Sequence, residues 1–182
     1  MNLRRLDAET LRDAMIAVAG KLDTTMGGPP IKLSMQPDGL QVVSGNEPQW
    51  RRSVYLTARR NYPLTFLNVF DFPAIDTNCT RRVPSATPLQ SLTMMNDPFT
   101  IESAAYLVAR AGETAAKRIE AMYLLVFARQ PNAAEIQWGE AHLNEQTKIY
   151  AAANEPVPQA SAKAFSSLAQ MLLSSNEFLY VD

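Results

Sequence analysis

Apolar residues recur at helical spacing over much of this chain, and most runs are bounded by residues that start or stop a helix. In LDAETLRDAMIAVAGKLD the run is Leu11, Met15, Val18 and Leu22, and Asp7 stands where an N-cap is expected. MGGPP (26–30) ends it, because the glycines admit positive φ and the prolines cannot continue a helix. IKLSMQPDGLQVVSGNEPQW (31–50) is broken by Pro-Asp-Gly and Ser-Gly-Asn, which predicts a loop-rich excursion with short strands at best. RRSVYLTAR (51–59) sets Val54 and Leu56 against Ser53, Tyr55 and Thr57, an alternation that predicts a short strand. After Pro63, LTFLNVF predicts a brief helix ending at Asp71.

Further along, the start signals become dense. Thr87-Pro88-Leu89-Gln90 reads as a capping box with proline at the first helical position. Asp97-Pro98 repeats the device ahead of FTIESAAYLVARA, and Gly112 closes that helix. Ile119, Met122, Tyr123 and Val126 share one face of a helix over 114–128. Asn132, with Glu135 three residues on, caps a polar helix that runs to about Ala153. NEPVP (154–158) reads as a linker, and a last helix carries Phe165, Leu168, Met171 and Leu172. Phe178 to Val181 are consecutive apolar residues that predict a terminus packed against earlier helices. The pattern is that of one mainly α domain over 1–182 with five or six helices. It includes a loop-rich section at 26–62, an irregular Arg-rich insertion and at most a short β hairpin.

A chain of 182 residues is long enough to bury one sizeable core. Its net charge of −1 gives no reason to expect nucleic acid as a partner. The charges are unevenly spread, however: between Glu47 and Arg82 lie six arginines, no lysine and three acids. Arginine without lysine suggests fixed, planar, bidentate pairing rather than diffuse surface charge. The expected partners are Asp71 and Asp76, with an anion-binding surface as the alternative. One cysteine excludes an internal disulfide, and one histidine leaves little from which to build a metal site or a triad. No CxxCH for c-type haem occurs, and no apolar run approaches the roughly 20 residues needed to span a bilayer. MNLRRLDAETLRD lacks the apolar stretch of a signal peptide and opens on a capped helix, so a piece of a longer protein is expected.

The candidate chemistry gathers in VFDFPAIDTNCTRR (69–82), with Asp71, Asp76, Cys79, Arg81 and Arg82, to which Arg51 and Arg52 are added from the preceding Arg-rich text. Two carboxylates on one loop can work as an acid/base pair or share a cation. They can equally be held by loop N–H groups and arginines, as buried charge requires. Cys79 near Arg81 and Arg82 has the electropositive setting of a nucleophile, but it lacks a nearby base, and a buried apolar plug is the expected role. His142 lies among Glu140, Asn144 and Glu145 on a solvated helix face and is assigned no function; Trp138 is read as a packing anchor. Trp50 with Arg51, Arg52 and Tyr55 interleaves aromatics and arginines, a mixture that suits core packing or a sugar or partner surface.

RRSVYL, FDFPAID-NC-RR, S-TPLQSLTMMNDPF and LLSSNEFLYVD, in that order, resemble the PSD1 (DUF1553) domain, a family of unknown function found chiefly in planctomycete bacteria. The resemblance runs over nearly the whole chain. It implies the C-terminal part of a large exported protein, following a PSD-type helical module and often a c-type cytochrome domain. An extracytoplasmic location is implied too, with no cofactor in this part and a c-type haem elsewhere in the longer chain. No catalytic residues come with the family. Two functions are therefore open. One is an interaction or scaffold domain that docks onto the preceding domain or another exported protein. The other is part of an enzyme acting on an extracellular polymer such as a polysaccharide, with a polar cleft at 71–85.

Overall fold

The computed structural model describes residues 4–45, 47, 49–74, 79–112 and 115–181. The first strong apolar stripe becomes helix α1 (Ala8–Val18), which buries Ala8, Leu11, Met15 and Ile16. Arg12 stands inside that stripe and is 1% exposed. Asp7 occupies the N-cap, but its side chain makes no cap hydrogen bond and lies 3.6 Å from Arg82 instead. Just before it, strand β1 (Arg4–Arg5) leads into the helix.

The loop-rich section contains one hairpin, β2 (Leu33–Met35) and β3 (Gln41–Val43), paired antiparallel. Gly39 takes φ of 87° at its turn, a conformation that a side chain would oppose. The strand expected at 51–59 is absent. Isolated bridges join Arg51 to Asp23 and Leu56 to Ile31, and a single 3₁₀ turn (Ser53–Tyr55) lies between them. The reason is a contact with α1. Ser53 N–H and Ser53 Oγ both donate to Asp13 Oδ1 at 2.7 Å, which draws the backbone into a turn where a ladder would need it extended.

Helix α2 (Thr65–Val69) is the brief helix that LTFLNVF predicts. Further along come α3 (Pro88–Asn96) and α4 (Pro98–Arg110). Asp97 ends the first and caps the second, accepting Phe99 N–H at 2.8 Å. At α3 the expected capping box is present, with Gln90 Oε1 accepting Thr87 N–H at 3.3 Å and the Thr87 side chain turned to the Gln90 N–H. Helices α5 (Ala115–Phe127), α6 (Ala133–Ala152) and α7 (Val157–Leu173) follow, so the expected linker shrinks to a turn and α7 begins inside it. Asn132 and Glu135 close a reciprocal capping box at α6, with 2.9 and 2.7 Å bonds.

Apolar faces of α1, α2, α4, α5 and α7 meet in one core around Phe66, Phe70, Leu107, Met122 and Leu168. Met171, expected in that stripe, is 41% exposed at its edge. Polar α6 lies against α7 and α5, and a Cβ at Gly139 would meet Ile119 at 3.3 Å, so glycine permits the approach. Eight α-helices occur among the described residues, more than expected because single turns such as α8 (Asn176–Leu179) are included. Strand β4 (Tyr180–Val181) then pairs antiparallel with β1, a second strand pair that the sequence did not suggest. Phe178 is buried as expected and Tyr180 is half-buried. Arg129 holds this end, bonding Glu135 at 2.7 Å and Glu177 at 2.6 Å.

Candidate functional site

Asp71 sits just past α2 with φ of 63°, a left-handed conformation that Asp tolerates better than most residues. That bend turns its carboxylate inward, where Ser85 N–H and Arg5 Nη2 donate to Oδ2 at 2.7 and 2.6 Å. Ser85 Oγ adds a bond to Oδ1 at 2.8 Å. Burial pushes the Asp71 carboxyl up, but the Ser85 N–H, Arg5 and the Ser85 hydroxyl together outweigh it and hold it below the ordinary range. Asp71 thus pairs with an arginine, but with none of the Arg-rich insertion. Arg5 reaches it across 66 positions and also donates to the carbonyl of Phe70 at 3.0 Å. Gln90 closes the knot, donating to the Val69 carbonyl at 3.0 Å and to Ser85 Oγ at 3.3 Å.

Arg82 grips Glu9 with two bonds of 2.7 and 2.8 Å, pinning the end of the loop to the first turn of α1. Arg81 is exposed, and Asp76 lies outside the described residues. Cys79 is exposed, contrary to the buried plug expected of it, because its stretch crosses the surface rather than the core. Around Asp71 and Arg82 the free space is about 20 Å³, room for about one water molecule.

The remaining arginines act as braces. Arg12 donates to the carbonyls of Arg51 at 3.0 Å and Gln49 at 2.5 Å, and to Ser53 Oγ at 3.2 Å. Burial lowers its pKa to about 10, which leaves it charged at neutral pH. Arg51 donates to the carbonyls of Thr25 and Gly27 and lies 3.9 Å over the Tyr55 ring. Arg52 is exposed, 3.5 Å from Asp13. Trp50 packs against Tyr106 at 5.2 Å and Phe99 at 6.2 Å, so its ring serves internal packing. The predicted set therefore divides. Asp71 and Arg82 both line one small cavity, while Arg51 holds the carbonyls of Thr25 and Gly27 and Arg52 lies beside Asp13.

Two larger concavities lie elsewhere. One, of about 390 Å³, opens between the β2–β3 hairpin and the start of α4, with Asp38, Asp97 and Glu102 among its lining residues. Burial pushes the Asp97 carboxyl up against the pull of the Phe99 and Thr100 N–H groups. The other, of about 520 Å³, is a groove beside α3 that reaches Phe70, Leu179 and Tyr180. Next to it Leu89, Leu92 and Met95 are 57%, 52% and 62% exposed, three residues apart along one side of the helix. His142, on the polar helix, stacks with Trp138 and has Nε2 3.2 Å from Ser167 Oγ; burial lowers its pKa. Trp138 is itself 44% exposed.

The family model PSD1, described as a protein of unknown function (DUF1553), matches residues 1–143. The chain belongs to the PSD1 family. The match covers the contacts of Asp71, Arg12, Arg51 and Arg82 and ends within α6, so the LLSSNEFLYVD segment lies beyond it. No curated protein and no solved structure matches this PSD1 domain.

Sequence reasoning missed Arg5, Arg12, Ser85 and Asp97 as parts of the sites. For Arg12 a signal existed, since positions 8, 11, 12, 15 and 16 form one helical stripe with arginine at its centre. Asp97 was legible as a cap, but nothing local shows that the hairpin folds over it. Among the described residues of this PSD1 domain no cluster of His, Cys, Asp and Glu is arranged to hold a metal ion, and no helix is long and apolar enough to cross a membrane.

Proposed function

We propose that this PSD1 domain is a helical interaction and scaffold module of a larger exported bacterial protein. It docks onto the domain that precedes it in that protein, or onto another exported partner, through the outer side of α3. The observation that carries this reading is the row Leu89, Leu92 and Met95, each more than half exposed on a rigid helix beside a groove of about 520 Å³. A supporting observation is that four arginines are engaged inside the domain, whereas Arg81 is exposed. Arg5, Arg12, Arg51 and Arg82 each hold two or more internal acceptors and so fix the scaffold. Planctomycete origin, export and a c-type haem elsewhere in the longer chain rest on the family resemblance.

The alternative, part of a polysaccharide-acting enzyme with a polar cleft at 71–85, draws less support. The space there is about 20 Å³ among the described residues, far below the roughly 300 Å³ of a small ligand site. The test is calorimetric titration of this chain with the preceding domain produced separately. The Leu92→Glu, Met95→Glu double variant is expected to weaken binding by about thirtyfold or more, with thermal stability unchanged because both side chains face solvent. Equal affinities would overturn the reading.

A further inference from the structure

The cleft between the hairpin and α4 has the size and lining of a ligand site. Its 390 Å³ falls within the roughly 300–1,000 Å³ typical of small-molecule pockets. Leu40, Leu64, Phe66 and Phe99 supply apolar walls, and Asp38, Asp97 and Glu102 stand among them. Each carboxylate has one oxygen committed to the scaffold. Asp38 Oδ1 accepts Leu40 N–H at 3.0 Å, Asp97 Oδ1 accepts Phe99 N–H at 2.8 Å, and Glu102 Oε2 accepts from Gln49 at 3.3 Å. The same bonds hold all three groups in place.

A second feature is independent of the acids. Gln41 lines the cleft, is 9% exposed, and its carboxamide makes no hydrogen bond among the described residues, although its backbone N–H is bonded to Thr65 Oγ1. Its polar atoms are not among those sealed in the core, and from its place in the lining Gln41 is open to a ligand that enters the cleft.

Charge selects the ligand. Among the described residues the one cation in the lining, Arg12, is spent on the carbonyls of Arg51 and Gln49 and on Ser53 Oγ. Against three carboxylates, its single charge and the partial positive charge at the α4 N-terminus leave the cleft net negative by about one and a half charges, so an anion is disfavoured. A sugar would want a free aromatic face, but the Phe99 ring is already packed by Arg12, Trp50 and Phe66.

We infer that this cleft binds an aliphatic cation: an ammonium or guanidinium group on an apolar stem. The stem lies along Leu40, Leu64 and Phe66. The cationic head is held by the free oxygens of Asp38 and Glu102 and by the Gln41 carbonyl. Such a group can come from a free polyamine or from a lysine or arginine side chain of a bound polypeptide. The inference does not depend on docking at α3, which is a different face.

The experiment is amide NMR on the whole chain, titrated with n-butylammonium, n-butylguanidinium and, as the neutral isostere, n-butanol. Saturable shifts at residues 38–41 and 97–102 are expected for the cations, with Kd on the order of 1–10 mM. Asp38→Asn and Glu102→Gln keep an acceptor for Leu40 N–H and Gln49, and each is expected to weaken cation binding about threefold to tenfold. Two further probes separate the sources. Tighter binding of a capped tetrapeptide with one lysine than of 1,4-diaminobutane assigns the cation to a polypeptide, and the reverse order assigns it to a free polyamine. Shifts from n-butanol equal to those from the cations, or no saturable shift up to about 50 mM of either, would overturn the inference.

Discussion

Replacing Asp71 by alanine removes more from this domain than one surface carboxylate, because three donors converge on it. Arg5, whose side chain is 3% exposed, would keep the carbonyls of Phe70 and Ser85 but lose its counter-charge. Breaking a fully buried pair costs about 3–5 kcal/mol. The Asp71 side chain is 30% exposed, so water replaces part of the loss and about 2–3 kcal/mol is expected from the carboxylate. Alanine at φ of 63° adds about 1 kcal/mol of backbone strain, which glycine does not. Asparagine tolerates the bend and keeps one acceptor for Ser85, so it loses only about 1–2 kcal/mol. The expected order of stability is therefore wild type, Asn, Gly, Ala. For a chain of this size, 1 kcal/mol shifts Tm by about 2–4 °C, so the total of about 3–4 kcal/mol for Asp71→Ala should lower Tm by about 6–16 °C. Urea unfolding with thermal melts checks this. An alanine variant within about 0.5 kcal/mol of wild type, or a glycine variant less stable than alanine, would refute the reasoning.

Arg12→Lys keeps the charge but cannot reach three acceptors from one planar fork, so a loss of about 2–4 kcal/mol is expected in urea unfolding. Glu135 is held at about 2, below the ordinary 4.5, by Arg129 and by the N–H of Asn132. Its folded-state pKa is depressed, so the stability it contributes is present above about 4.5 and is lost as pH falls towards about 2. Glu135→Gln should flatten the Tm-against-pH curve across that window and leave its shape above pH 6 unchanged. Deleting residues 177–182 removes Phe178 from the core, β4 from its pairing with β1, and the Glu177 bond to Arg129. It should cost at least about 3 kcal/mol, and an unchanged melting midpoint would contradict it.

Helices were legible where a capping residue and an apolar stripe agreed, as at Asp97-Pro98 and Asn132 to Glu135. Partners were not legible, because pairing is set by topology rather than by proximity in sequence. Asp71 has Arg81 and Arg82 close by in the chain, yet the antiparallel joining of β1 and β4 places Arg5 above it, while Glu9 takes Arg82. The alternation at 51–59 was real but was overridden by the Asp13 carboxylate, which lies on α1 and pulls Ser53 into a turn. The cleft beside Asp97 left even less trace. Its walls come from the hairpin, α2 and α4, each of which reads locally as an ordinary element.

The docking reading is tested most directly by amide hydrogen exchange at α3. The longer PSD1-containing protein would be compared with this chain alone under identical conditions. The outer side of α3 is open in the isolated domain, and a docked neighbour would slow local opening of residues 88–96. Protection there should rise by at least about tenfold in the longer protein, while exchange around Arg12 and Asp71 stays the same. Identical exchange at 88–96 in both, with complete coverage of the helix, would contradict the account.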